Sequence, residues 1–313
     1  MLIKELIEIY EVIDDSKVDG EKVKRVFEKS FHENITVKTV YGENGKTDFI
    51  KIKIPGESGK INSGKYKTLG IIGRLGGIGA RPSVVGSVSD GDGAIAALAI
   101  ALKLSRMQER GDVLKGDVII STHICPDAPT MPHDPVPFMG SPIDMKTCNE
   151  QEVDKDMDAI LSIDTTKGNN IVNNNGFAIS PTVKEGYILK TSEDLLDIMM
   201  TTTGKAPFVL PITTQDITPY GNGLSHINSI MQPATHTDKP VVGIAITTET
   251  AVAGCATGAS HFTDIENSAR FALEVAKRFT SNGCSFYDEE EFDTLIDLYG
   301  EMNHLQTLGK MIK

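Results

Sequence analysis

Four short apolar runs constrain this chain more than any other feature: TLGIIGRLGGIG, GDVIISTHI, MDAILSIDTT and PVVGIAITTE. Each reads as a strand buried on both faces, because apolar residues fill successive positions rather than alternating with polar ones. Helical patterns lie between them. GAIAALAIALKLSRM is apolar over a wide face, SEDLLDIMMTTTG has a Ser N-cap and a Gly stop, and FTDIENSARFALEVAKRFT opens with a capping box of Thr263 and Glu266. The first residues predict helix, turn and helix, then a hairpin about an ENGK turn. APFVLPIT predicts one more strand and GNGLSHINSIM a turn into a helix, while the proline-rich CPDAPTMPHDPVPFMGSP predicts an irregular loop. Strands that alternate with helices predict one α/β domain over residues 1–313. It has three layers, a mostly parallel central sheet with helices on both faces. Residues 281–313 form a C-terminal helical extension with Phe292, Leu295, Tyr299, Met302 and Leu305 on one stripe. Ligands of such a fold sit beyond the carboxyl ends of the strands.

Charge narrows the function classes. Lys and Arg number 31 against 43 Asp and Glu, a formal net charge of −12. That balance disfavours nucleic acid and anionic membranes as partners. Cys125, Cys148, Cys255 and Cys284 show no metal-binding spacing and read as reduced thiols. No apolar stretch is long enough to span a bilayer and the first residues do not read as a signal peptide, so the chain is expected in the cytoplasm.

The predicted strand ends carry potential ligands. SVSDGDGA places Asp90 and Asp92 before a helix, ISTHICPDAP places His123 and Asp127 after a strand, LSIDTT ends in Asp164, and GASHFTDIE places His261 before the last long helix. Carboxylates and imidazoles converging on one sheet edge suit zinc, manganese or cobalt. Each also has a plain reading. Asp90 or Asp164 could cap a helix or turn, His123 could be a core histidine, His261 a surface one, and His133 and Asp134 solvated loop residues. Their co-occurrence in strand order favours the metal reading. Asp90 and Asp92 remain alternatives as the ligand. Cys125 or Cys255 could instead serve as a nucleophile.

This order of elements resembles the co-catalytic zinc exopeptidases, the aminopeptidases and carboxypeptidases that bind two metals through a bridging aspartate. Asp90 before its Ala-rich helix matches the bridging residue. Asp164 matches the acid at a strand end, His261 the final histidine, and DITPYGNGLSHI the glycine-rich segment bearing Asp216 and His226. The resemblance implies a zinc-exopeptidase-like fold, a homo-oligomer, and hydrolysis of a small amide or short peptide. Two departures stand out. Arg74 and Gly76 replace the family's His-x-Asp, and Pro126 and Asp127 replace its Glu-Glu pair. The carry-over therefore gives metal ligands Asp90, Asp127, Asp164 and His261, with one ion favoured over two. His123, His133 or Asp134 would act as base, and Arg74, Asp216 and His226 would bind substrate. Arg74 could equally stand in for the lost metal. A non-catalytic relative that binds a small ligand is the alternative. The whole chain is also similar to a bacterial and archaeal family known as a domain of unknown function.

Overall fold

A computed structural model describes residues 1–27, 34–74, 87–132, 134, 137–252 and 258–310. The chain opens with α1 (Ile3–Ile13) and α2 (Gly20–Arg25), then the hairpin β1 (Ile35–Gly42) and β2 (Gly45–Ile54). Next come β3 (Leu69–Gly73), α3 (Asp92–Gln108), β4 (Val118–Ile124), β5 (Thr130–Met131), β6 (Phe138–Met139), α4 (Met145–Glu152) and β7 (Ala159–Thr165). They are followed by β8 (Gly176–Ile179), β9 (Val183–Lys184), β10 (Tyr187–Ile188), α5 (Glu193–Thr203), β11 (Val241–Thr247), α6 (Phe262–Phe279) and α7 (Glu289–Tyr299).

The main sheet runs β1-β2-β4-β3-β7-β11-β9-β10, with β8 also on β11. The four predicted buried strands form its parallel centre, β4-β3-β7-β11, and all four are buried along their length. The flanks are antiparallel: β1 and β2 on one side, β8, β9 and β10 on the other. The sheet is thus mixed rather than mostly parallel, because the hairpin and the short returning strands need no crossover helix.

The two faces are covered unequally. Leu69, Ile71, Ile120, Leu161, Ile163 and Ile244 pack in one cluster with α1, α3, α5 and α6. Helix α3 lies inside that layer and is buried almost all round, as its Ala-rich sequence requires. Ile72, Ile119, Ile160 and Ala245 face the other way, onto Ile217, Ile230, Met231 and Ala234 from short turns, with α4 nearby. So helices do lie on both faces, but irregular chain does most of the second covering.

Several local expectations change for identifiable reasons. APFVLPIT contributes one isolated bridge, Val209 with Ile179, since Pro207 and Pro211 have no N–H to donate. GNGLSHINSIM forms turns, with Gly221 at φ +94 and Gly223 at φ +84. The proline-rich loop holds a two-residue ladder between β5 and β6. Helix α6 begins at Phe262, and Glu266 accepts a hydrogen bond from Leu2 N at 3.0 Å instead of closing a capping box. Helix α7 stops at Tyr299, before Gly300 at φ +79. Residues beyond it pack on the domain, where the Gln306 amide donates to Ala234 O and Thr237 O. No helix among the described residues is long and apolar enough to cross a membrane.

One close approach sets the geometry of the strand ends. A Cβ on Gly93 would lie 2.2 Å from Arg74 O and 2.3 Å from Ile163 O. The first turn of α3 is therefore pressed against the ends of β3 and β7, where Arg74 N also donates to Ile163 O at 2.7 Å. Gly93→Ala should destabilise the protein by about 1–3 kcal/mol or more, because both neighbours are backbone and cannot yield by rotation. A urea midpoint equal to that of the wild type would contradict this contact.

Candidate active site

The parallel centre delivers polar residues to one edge. Arg74 leaves the end of β3 and is fully buried. Its Nη1 lies 2.7 Å from Glu152 Oε2 on α4, whose side chain is equally buried, and donates to Asn149 Oδ1 at 2.9 Å. Burial pushes the Glu152 carboxyl up to about 7 in spite of Arg74 beside it. Glu152 Oε1 has no hydrogen-bond partner among the described residues.

Asp164 ends β7 and is 3% exposed. It accepts from Ser229 Oγ at 2.7 Å and from Thr165 N at 2.8 Å. Burial raises its pKa, while these donors and the Arg74 charge oppose the rise. The half-buried Tyr220 phenol feels Asp164, Arg74 and Asp216, and burial is the largest influence raising its pKa.

Asp90 and Asp92 stand at the start of α3. Asp92 is fully buried, accepts from Ser260 Oγ, and lies 3.2 Å from Lys167 Nζ. Burial lifts it to about 6. Asp90 is lifted to about 8, first by burial, then by Asp164 and Asp92, with Lys167 opposing. Among the described residues no hydrogen bond reaches its carboxyl. Thr165 Oγ1 donates to Ser89 O at 2.7 Å, tying the turn that carries Asp90 to the end of β7.

Asp90 lies in the field of Asp164, and Asp164 in that of Arg74. Asp127 and His261 do not join them. Both side chains are exposed, Asp127 in the turn after β4 and His261 at the N-cap of α6, and neither is among the charges acting on Asp90. His123 has the core reading. It is 2% exposed, within 2.8 Å of Thr47 Oγ1 and stacked on Phe49, and burial with the Arg74 charge lowers its pKa to about 3. Asp134 is exposed, and His133 lies outside the described residues. Buried Asp216 fixes a loop by accepting from Thr213 N and Ile227 N, and His226 stands edge-on to Tyr220. Cys125 is buried and its thiol is pushed up to about 11, which removes it as a ready nucleophile, while Cys255 lies outside the described residues.

Sequence reasoning passed over Glu152, Lys167, Tyr220 and Ser229. Lys167 follows Asp164 by three residues in IDTTKG, which could have marked it. Glu152 on its helix gave no such sign.

The donor set does not fit a co-catalytic metal pair. A guanidinium takes the place of the first histidine, an ammonium sits on Asp92, and two expected ligands face solvent. No group of three or more His, Cys, Asp or Glu among the described residues could hold a metal ion.

Over residues 38–309 the chain matches the family described as "Protein of unknown function (DUF1177)", and it belongs to that family. Among solved structures it is similar to a glutaminyl cyclase from an Acidobacteriales bacterium. The identity is 12%, the TM-score 0.52, and the match covers 90% of this chain and 94% of the other. That likeness concerns the fold alone. No curated protein matches the sequence.

Two outcomes follow from these charges. Asp90, Asp92 and Glu152 have folded pKa values near 8, 6 and 7 against ordinary values of 3.8, 3.8 and 4.5. Carboxyls raised in this way favour the folded state fully below about pH 4, and that contribution is lost as pH rises through 6 to 8. The melting temperature should fall across that window, and Asp90→Asn should flatten the upper part of the fall. Arg74→Met strands Glu152 and should cost about 3–5 kcal/mol, whereas adding Glu152→Gln should restore most of it. Equal denaturation midpoints for the single and double variants would contradict the pairing.

Proposed function

We propose that this DUF1177 member hydrolyses a small amide or short peptide with Asp90 and Asp164 as an acid–base carboxylate pair. The observation that carries the reading is the state of Asp90: nine-tenths buried, without a hydrogen-bond partner among the described residues, and next to a second carboxylate. Two neighbouring carboxyls in a low dielectric do not both ionise, so one keeps its proton. Asp164, supplied with two donors and the Arg74 field, is the member that ionises; Asp90 holds the proton. Asp90 also retains a little solvent contact, 9% of its surface.

In the reaction, Asp164 takes a proton from water as the water oxygen bonds to the carbonyl carbon. Asp90 gives its proton to the carbonyl oxygen. Collapse of the tetrahedral diol returns that proton to Asp90. The nitrogen leaves with the proton held by Asp164, which ends ionised. The Tyr220 hydroxyl, which lies in the field of Asp164 and Arg74, would donate to the carbonyl oxygen as it takes up the Asp90 proton. Fixed donors of this kind do in part what a polarising cation does elsewhere.

Binding without turnover is the second reading. Pro126 favours it, since it stands where the zinc exopeptidases that the sequence resembles carry a glutamate. A homo-oligomer and a cytoplasmic setting accompany both readings as proposals.

The test is a panel of N-acyl amino acids, dipeptides and small amides, assayed with and without chelator. Turnover should survive EDTA, fall about 10²–10⁴-fold in Asp90→Asn, and decline above about pH 8 as Asp90 loses its proton. Activity that needs added zinc, manganese or cobalt would overturn the reading in favour of a metal-dependent hydrolase. Saturable binding of a panel member without turnover would establish the second reading.

A further inference from the structure

A cleft of about 270 Å³ opens between α1 and the carboxyl-terminal turns of α3. It stands apart from the candidate active site, because Arg106 lies about 20 Å along α3 from Asp92 at the rise of a helix. Lys4, Glu5, Lys103, Arg106, Met107 and Arg110 line it. Over the whole chain acids outnumber Lys and Arg by 43 to 31. The cleft reverses that balance, with four cationic side chains to one carboxylate.

Helix geometry gathers these charges. Lys103, Arg106 and Arg110 recur at spacings of three and four, which puts them on one face of α3 and the turn that ends it. Lys4 comes from the first turn of α1. Arg106 is already engaged: its Nη1 lies 3.1 Å from Glu5 Oε1 and its Nη2 2.5 Å from Glu8 Oε2. Glu5 is 5% exposed, so the one carboxylate of the lining is taken up by that fork. Among the described residues no carboxylate lies within ion-pair distance of Lys4, Lys103 or Arg110.

Part of this has a plain reading. Cations in the last turns of a helix complement its dipole, so Lys103 and Arg110 need no ligand on that account. Lys4 has the opposite placement. It sits at the positive end of α1, where a lysine is unfavourable, and shares the cleft with two further unpaired cations. Three like charges around one concavity repel, and a bound anion relieves the repulsion. Ammonium groups and an arginine fork together suit the oxygens of phosphate. The volume falls just below the range of about 300–1,000 Å³ usual for sites that enclose a drug-sized ligand, so the occupant is small.

We propose that this cleft binds a small, multiply charged phosphate, a phosphorylated metabolite or short polyphosphate, through Lys4, Lys103 and Arg110. Binding here is independent of the chemistry assigned to Asp90 and Asp164.

Calorimetric titration of the full chain at low ionic strength with phosphate, pyrophosphate, tripolyphosphate and citrate tests it. Wild type should bind one tripolyphosphate, more tightly than pyrophosphate and far more tightly than phosphate or citrate, and the affinity should fall as salt is raised. Lys103→Ala and Arg110→Ala should each weaken tripolyphosphate at least tenfold. Lys146→Glu, on the exposed surface of α4 across the sheet, alters net charge without touching the cleft and should leave binding within about twofold. Melting temperatures of the free variants should match the wild type, since neither side chain has an ion-pair partner among the described residues to lose. Absence of saturable binding by the wild type would overturn the inference. So would binding that Lys103→Ala and Arg110→Ala leave unchanged, or that Lys146→Glu weakens as much as they do. Citrate binding as tightly as tripolyphosphate would overturn the phosphate assignment. Capture by vesicles of anionic phospholipid without binding of free tripolyphosphate would replace the cleft by a membrane-facing surface.

Discussion

A guanidinium without access to solvent holds the working edge of this fold together. Arg74 pairs with Glu152 while both are fully buried, so the charge of α4 is bound to the end of β3. Its backbone N–H is given to Ile163 at the end of β7, and its carbonyl lies under Gly93 at the start of α3. The geometry of two strands and two helices therefore passes through one residue. Such a pair is weak evidence of stability in itself, because desolvating both ions offsets most of their attraction. Its consequence is positional: Asp164 and Asp90 must share a dry corner whose positive charge is already fixed.

Much of the fold could be read from the sequence. The four apolar runs are the four parallel strands, and Ala-rich α3 is the buried helix beside them. Periodicity and burial are properties of short stretches, and a short stretch records them. The flanking strands were harder. Strands β9 and β10 are two residues each and pair with one another, and β9 joins the sheet only where Val183 meets Val241 of β11, more than fifty residues away. The segment at 205–231 carried strand-like and helix-like composition but follows its prolines, its positive-φ glycines and the side chain of Asp216 instead.

The candidate site is only partly marked in the sequence. Asp90 and Asp164 announce themselves because position in a parallel sheet is a strong physical signal. Glu152 and Lys167 do not, because what makes them special is burial against partners about eighty residues away. Asp127 and His261 have the right residue type at the right place in the order of elements. Yet order along the chain leaves the direction of a side chain undetermined, and both point to solvent. The likeness to a solved structure concerns the fold, and the positive charges acting on these carboxylates include Lys167 for Asp90 and Arg74 for Asp164.

The central claim is that Asp90 carries a proton at neutral pH, first because it is buried and then because the Asp164 carboxylate acts on it. Isotope-edited infrared spectroscopy of protein labelled at aspartate carboxyls measures this directly. The account predicts a protonated-carboxyl band at pH 7 that titrates away near pH 8 and is missing from Asp90→Asn. A spectrum at pH 7 with every aspartate ionised, unchanged by that substitution, would contradict it.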